Sequence, residues 1–119
     1  MERSQNRLES VRRAMYALGE PHRFELVRRL MSGPTSVNVL AEAIGRPQPL
    51  VSHHLKVLHE AGIVAVVRSG KFRLYQVDSK PDAAVAPILD HLRECLREGV
   101  EASPRSIASE ISEIEDFLL

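Results

Sequence analysis

Four polar side chains, Gln48, Ser52, His53 and Lys56, fall within one short stretch, and three cations, Arg68, Lys71 and Arg73, fall within another. The first group interleaves with Leu50, Val51, Leu55 and Leu58, which are expected to form the buried stripe of a helix and so turn the polar set outward. His54 and His59 are placed on the flanks of that helix. A glutamine amide can pair with an adenine edge, serine and histidine can meet bases or phosphates, and a lysine suits a phosphate. The second group surrounds Gly70, and each cation that neutralises a phosphate adds to the salt dependence of binding. Taken singly, any of these side chains is most simply a solvated surface group. Taken together, they match the chemistry of a surface that reads duplex DNA.

Other chemistries find little support. There is no Gly-rich phosphate loop, no HExxH and no nucleophile elbow, so no enzyme is expected. His53 and His54 are adjacent and point to different faces of a helix, so they neither share an ion nor form a relay.

The elements that must hold these groups can be read from periodicity and punctuation. A first helix is expected over about Ser4 to Leu18, with Leu8, Val11, Met15 and Leu18 on one face and Gly19 ending it. Pro21 opens a second helix carrying Phe24, Leu26, Val27, Leu30 and Met31, which stops at Ser32-Gly33-Pro34. Thr35 or Ser36 caps a third, with Val37, Leu40, Ala41 and Ile44 inward and Gly45 at its end. After the turn Gly45-Arg46-Pro47-Gln48, a fourth helix starts near Pro49 and runs to Glu60. The runs 63–67 and 72–77 form a β-hairpin about Gly70. A long helix is expected from Asp82 to Glu98, and an amphipathic one with Ile107, Ile111, Ile114 and Leu118 closes the chain. The fold class is therefore mainly α with a small β-hairpin. Two short helices joined by a tight turn and followed by a basic-tipped hairpin make a winged helix-turn-helix. Residues 1–98 are read as the DNA-binding and dimerisation domain, and 99–119 as a C-terminal amphipathic helix extending it.

Composition agrees. At 119 residues the chain fits one domain, and with 4% aromatic residues and no Trp its core must be aliphatic. Zero net charge hides a division. Residues 1–80 hold 13 Lys and Arg against 7 Asp and Glu, whereas residues 81–119 hold 3 against 9. A basic body can meet an anionic polymer while an acidic end faces elsewhere; a chance division of solvated faces would look the same. The polar opening MERSQNRLES offers no apolar leader core, and no apolar run is long enough to cross a bilayer. The single Cys95 cannot form an internal disulfide, so a reducing, cytoplasmic setting is expected.

The stretches LGEPHRFELVRRLMSGP and VNVLAEAIGRPQPLVSHHLKVLHEAGIVAVVRSGKFRLYQV resemble the ArsR/SmtB family of bacterial repressors, QPLVSHHLKVLHEAGIV most specifically. The resemblance covers about residues 12–98. It implies a homodimer joined through the first and penultimate helices, an inverted-repeat promoter operator, and repression relieved by an inducer. Gln48, Ser52, His53 and Lys56 fall where the family places DNA contacts, as do Arg68, Lys71 and Arg73 of the wing. Pro47 departs from the pattern, standing where a Ser or Thr helix cap is common. The early N–H groups of the fourth helix must then find other partners.

The effector is far less legible, and no cofactor is assigned. The Cys-x-Cys metal site of some relatives maps on Ser36 and Asn38 and is absent. A second metal pattern, laid on the fifth helix, falls on Asp82, Ala84, Cys95 and Glu98; Ala84 cannot ligate, but His91, one turn before Cys95, can stand in. Asp82, His91, Cys95 and Glu98 are therefore the candidate ligands for a transition-metal effector. Alternatively Cys95 is a small apolar group at a dimer interface and His91 a surface residue. Cys95 as a redox switch is a further reading, with Arg93 and Arg97 favouring a thiolate and Glu94 and Glu98 opposing it. A small molecule, a protein partner or no effector also remain open. The competing function from a different class is a winged-helix protein-interaction module that does not read DNA, with its acidic C-terminal helix as the working surface.

Overall fold

The computed structural model describes residues 2–98. The helix expected over the last 16 residues lies outside them. In chain order the elements are α1 (Glu2–Leu18), α2 (Pro21–Leu30), α3 (Val37–Ile44), α4 (Gln48–Glu60), β1 (Val64–Ser69), β2 (Phe72–Val77) and α5 (Ala86–Arg97). No helix among the described residues is long and apolar enough to cross a membrane.

Leu26, Val27 and Leu30 of α2 form the middle of the core. Leu40 and Ala41 of α3, Val51, Leu55 and Leu58 of α4, and Leu89 of α5 close around them. From α1, Ala14 and Ala17 are fully buried and Leu18 packs against the core partly buried. Leu8 and Met15, on the apolar face expected of α1, are 70% and 65% exposed. The periodicity located that face, but the chain's own core covers it only at its end, where Leu18 packs, and leaves Leu8 and Met15 exposed.

Local chemistry sets the turn between α3 and α4. Ser36, not Thr35, caps α3 by accepting the Val39 N–H at 3.3 Å. Gly45 ends α3 at φ 65°, a left-handed conformation that a side chain disfavours. α4 then starts at Gln48, one residue before the expected Pro49, with Pro47 as an N-cap that has no side-chain bond to give. The backbone makes up much of the deficit. Leu50 and Val51 donate their N–H groups to the Pro47 carbonyl at 3.1 Å, and Pro49 has no N–H to satisfy.

The hairpin pairs antiparallel from Val64↔Val77 to Ser69↔Phe72, leaving Gly70 and Lys71 as the two-residue turn. Gly70 takes φ 61° at the first turn position, which a type II′ turn demands. Relative to expectation, β1 starts after Ile63 and continues through Ser69. Ile63 is fully buried, and its carbonyl accepts the Asp78 N–H at 2.9 Å. A bridge between Thr35 and Tyr75, with N–H···O bonds of 3.0 and 2.8 Å in the two directions, ties β2 to the residue just before the Ser36 cap. That bridge holds the wing in a set relation to the helix-turn-helix.

The expected helix from Asp82 to Glu98 is shorter, running from Ala86 to Arg97. Pro87 is tolerated only in a first helical turn, so it sets the start. Asp82 instead organises the preceding turn. Its side chain accepts the Ala84 N–H at 2.8 Å, and its carbonyl accepts those of Val85 and Ala86 at 2.9 Å.

Candidate nucleic-acid interface

α4 divides its residues as a recognition helix must. Val51, His54, Leu55 and Leu58 are buried, whereas Gln48, His53 and Lys56 are exposed and Ser52 is half-buried. The expected contact residues are therefore presented together on the side away from the core. Leu50, expected in the buried stripe, is 38% exposed. It sits in the first turn of α4.

Arg68, Lys71 and Arg73 of the wing are all exposed. Lys71 Nζ lies 5.6 Å from the centroid of the Phe72 ring, and the Arg73 guanidinium carbon 5.5 Å from that of Tyr75. Such contacts steady a long cationic side chain without removing it from solvent. Phe72 itself is 61% exposed at the tip.

Behind this surface lies a polar cluster not anticipated as one. His54, expected on a flank of α4, is buried. Its spacing from Val51 and Leu58 is that of the inward stripe, and this was the readable signal for its burial. Arg23 of α2 is buried beside it and does three things. Its Nε donates to the Ala17 carbonyl at 2.7 Å, its Nη2 to the Tyr16 carbonyl at 3.4 Å, and its Nη1 to His54 Nδ1 at 3.3 Å. The first two acceptors belong to the C-terminal turn of α1, where carbonyls lack helical partners and a cation is favoured. One guanidinium thus joins α1, α2 and α4. Because arginine only donates, His54 Nδ1 is an acceptor and its ring is neutral in this arrangement.

Glu20 completes the cluster. Its Oε2 accepts the Arg23 N–H at 2.8 Å, capping α2, and its Oε1 lies 2.9 Å from His22 Nδ1. Burial pushes the His54 ring below the usual histidine range; Glu20 opposes this, while Arg23, His22 and His53 add to it. Burial alone would raise the Glu20 carboxyl, but the Arg23 N–H, His22 and His54 outweigh it and hold it below the usual carboxylate range. Nothing in the composition of residues 20–23 signals that a residue of α4 will join them.

On α5, His91 Nε2 lies 3.8 Å from Cys95 Sγ, the one-turn juxtaposition expected. Asp82 is off the helix, engaged in the turn before it, and Asp82 and Glu98 do not join the pair within one chain. Among the described residues, the group whose ligand atoms meet is Glu20, His22 and His54.

Comparison with known proteins accords with this geometry. The family model for bacterial regulatory proteins of the arsR family matches residues 20–66, from the start of α2 into β1. The HTH-type transcriptional regulator Rv2034 of Mycobacterium tuberculosis is 41% identical over 78 residues, covering 66% of this chain and 73% of that protein. The chain belongs to the ArsR family. Another relative, the HTH-type transcriptional regulator NmtR of M. tuberculosis, is 42% identical over 76 residues, covering 64% of the chain and 61% of NmtR. The chain thus spans about three fifths of NmtR, and 52% of the M. tuberculosis repressor SmtB. Among solved structures, a homodimeric winged helix-turn-helix DNA-binding domain from Mycobacterium bovis superposes with a TM-score of 0.67 at 25% identity, covering 85% of this chain and 91% of that domain. The repressor BigR from Xylella fastidiosa superposes at 0.59 with 33% identity, covering 78% and 92%. For this ArsR-family chain the winged helix-turn-helix read from sequence is the fold.

Proposed function

We propose that this ArsR-family protein is a homodimeric transcriptional repressor. It binds an inverted-repeat promoter operator in the cytoplasm and is released by an inducer. The observation that carries the reading is the division of α4, with exposed Gln48, His53 and Lys56 and half-buried Ser52 opposite a buried stripe, beside a wing bearing exposed Arg68, Lys71 and Arg73. Gln48, Ser52 and His53 contact bases, and Lys56 and the wing cations contact phosphates. Residues 1–98 form the binding and dimerisation unit; the C-terminal helix expected over 99–119 lies outside the described residues.

The homodimer is supported by Leu8 and Met15, apolar side chains that α1 leaves exposed, and by the homodimeric M. bovis domain. A two-fold axis sets the two recognition helices one turn of B-DNA apart, about 34 Å. One short helix reads too few base pairs to find a single operator, and pairing doubles the number read.

The test is binding of the purified protein to its own upstream DNA and to random duplex. The double variant Ser52→Ala/His53→Ala is expected to lose about 10- to 100-fold on the operator and much less on random DNA. Equal loss on both would remove the base-reading role. Absence of operator preference in the wild type would favour the protein-interaction module.

A further inference from the structure

The cluster behind the recognition helix has a composition that packing alone does not require. Glu20 and His22 stand at the start of α2, and His54 reaches them from α4. One ligand-capable atom from each, a carboxylate oxygen and two imidazole nitrogens, lie within 4.8 Å of one another. His22 Nδ1 is 2.9 Å from Glu20 Oε1, and His54 Nδ1 is 3.9 Å from Glu20 Oε2. The two imidazoles are 11% and 9% exposed and stack with ring centroids 5.6 Å apart.

We propose that Glu20, His22 and His54 bind one divalent transition-metal ion of the borderline class, to which Zn²⁺, Co²⁺ and Ni²⁺ belong. Two imidazole nitrogens and a carboxylate oxygen are ligands these ions accept, and three protein ligands leave a fourth position for water. Ligand atoms at about 2.1 Å from a tetrahedral ion are about 3.4 Å apart, so the widest separation must close by little more than a bond length. Rotation of the Glu20 and His22 side chains supplies movements of that size.

Arg23 determines what binding does. Its Nη1 donates to the same His54 nitrogen that faces Glu20 Oε2, so an ion and the guanidinium compete for one lone pair. Without metal, α4 is tied through Arg23 to the carbonyls that end α1. With metal, α4 is tied through the ion to the start of α2, and the guanidinium is repelled. The two arrangements exclude each other, so occupancy is coupled to the placement of α4. That coupling, unlike the binding itself, rests on the reading of α4 as the DNA-contacting helix.

The experiment uses the full chain, stripped with a chelator. Co²⁺ is followed by its visible absorption and Zn²⁺ by the histidine ring resonances. One equivalent per chain is expected, with absorption of a tetrahedral nitrogen-oxygen site and shifts at His22 and His54 but not His91. His22→Gln should weaken Co²⁺ by at least about 10-fold, and His91→Gln should not. The proposal is overturned if no ion binds, or if the shifts and the loss fall on His91 and Cys95. Should His22→Gln fail to fold, the wild-type resonances decide. DNA affinity that changes with Zn²⁺ in the wild type and not in His22→Gln supports the coupling, and affinity indifferent to bound metal refutes it. Operator binding without metal is measured separately, so failure of the repressor reading and failure of the site are distinguishable.

Discussion

Replacing Lys71 by alanine should flatten the salt dependence of DNA binding by an amount set by the number of exposed cations. Lys56, Arg68, Lys71 and Arg73 are exposed in each chain, so a two-fold dimer presents twice four to the phosphates. At about 0.9 per neutralised phosphate, the slope of log K against log salt is about −7. Affinity should therefore fall about 10⁴-fold between 50 and 200 mM salt. Lys71 lies in the turn of the wing with only a cation–π contact to Phe72, so its removal disturbs no core contact. Because both protomers lose it, the slope should become shallower by about 1.8, equally on operator and random DNA. Fluorescence anisotropy at four or five salt concentrations measures both slopes. A wild-type slope shallower than about −3, or a Lys71→Ala slope unchanged, would refute the assignment of the wing to phosphates.

Other consequences concern the dimer, the core and the polar cluster. Leu8→Asp with Met15→Asp should give a monomer by light scattering and abolish operator preference, since the charges would occupy the face through which the two chains meet; a persistent dimer would place the interface elsewhere. Leu58→Ala should cost about 2–5 kcal/mol in urea unfolding, whereas Leu50→Ala, at a partly exposed site, should cost under about 1 kcal/mol. Similar losses at the two positions would contradict the burial described. The depressed His54 ring predicts falling stability toward acid. Below the ordinary histidine range near 6.5 the unfolded chain takes up a proton that the folded one refuses, so stability present above that range is lost as pH falls through the folded value. His54→Gln should flatten the dependence between pH 7.5 and about 5.5, and an unchanged profile would show that His54 does not titrate as described.

Helix type and order, the hairpin and the outward set on α4 follow from local rules. Apolar spacing, Ser36 before α3, Gly45 after it and Gly70 in the hairpin each act on near neighbours, so they are legible in a linear chain. Where the reading went astray, a contact distant in sequence was responsible, or a punctuating residue was underweighted. Pro87 marked the true start of α5 and could have been read as such. Leu50 fits the apolar period and is nevertheless 38% exposed, in the first turn of α4. His54 occupies the inward stripe, but its partner Arg23 is 31 residues away. The apolar face of α1 was legible as a face, yet the sequence does not say whether the chain's own core or a second chain covers it.

The amino-acid sequence alone determined the winged helix-turn-helix and the polar and basic residues it turns outward, because both depend on periodicity and turn chemistry within a few residues. Only the tertiary structure brought Glu20, His22, Arg23 and His54 together. Burying a polar group requires a partner, and which partner arrives depends on how α2 packs against α4, not on the spacing within either helix.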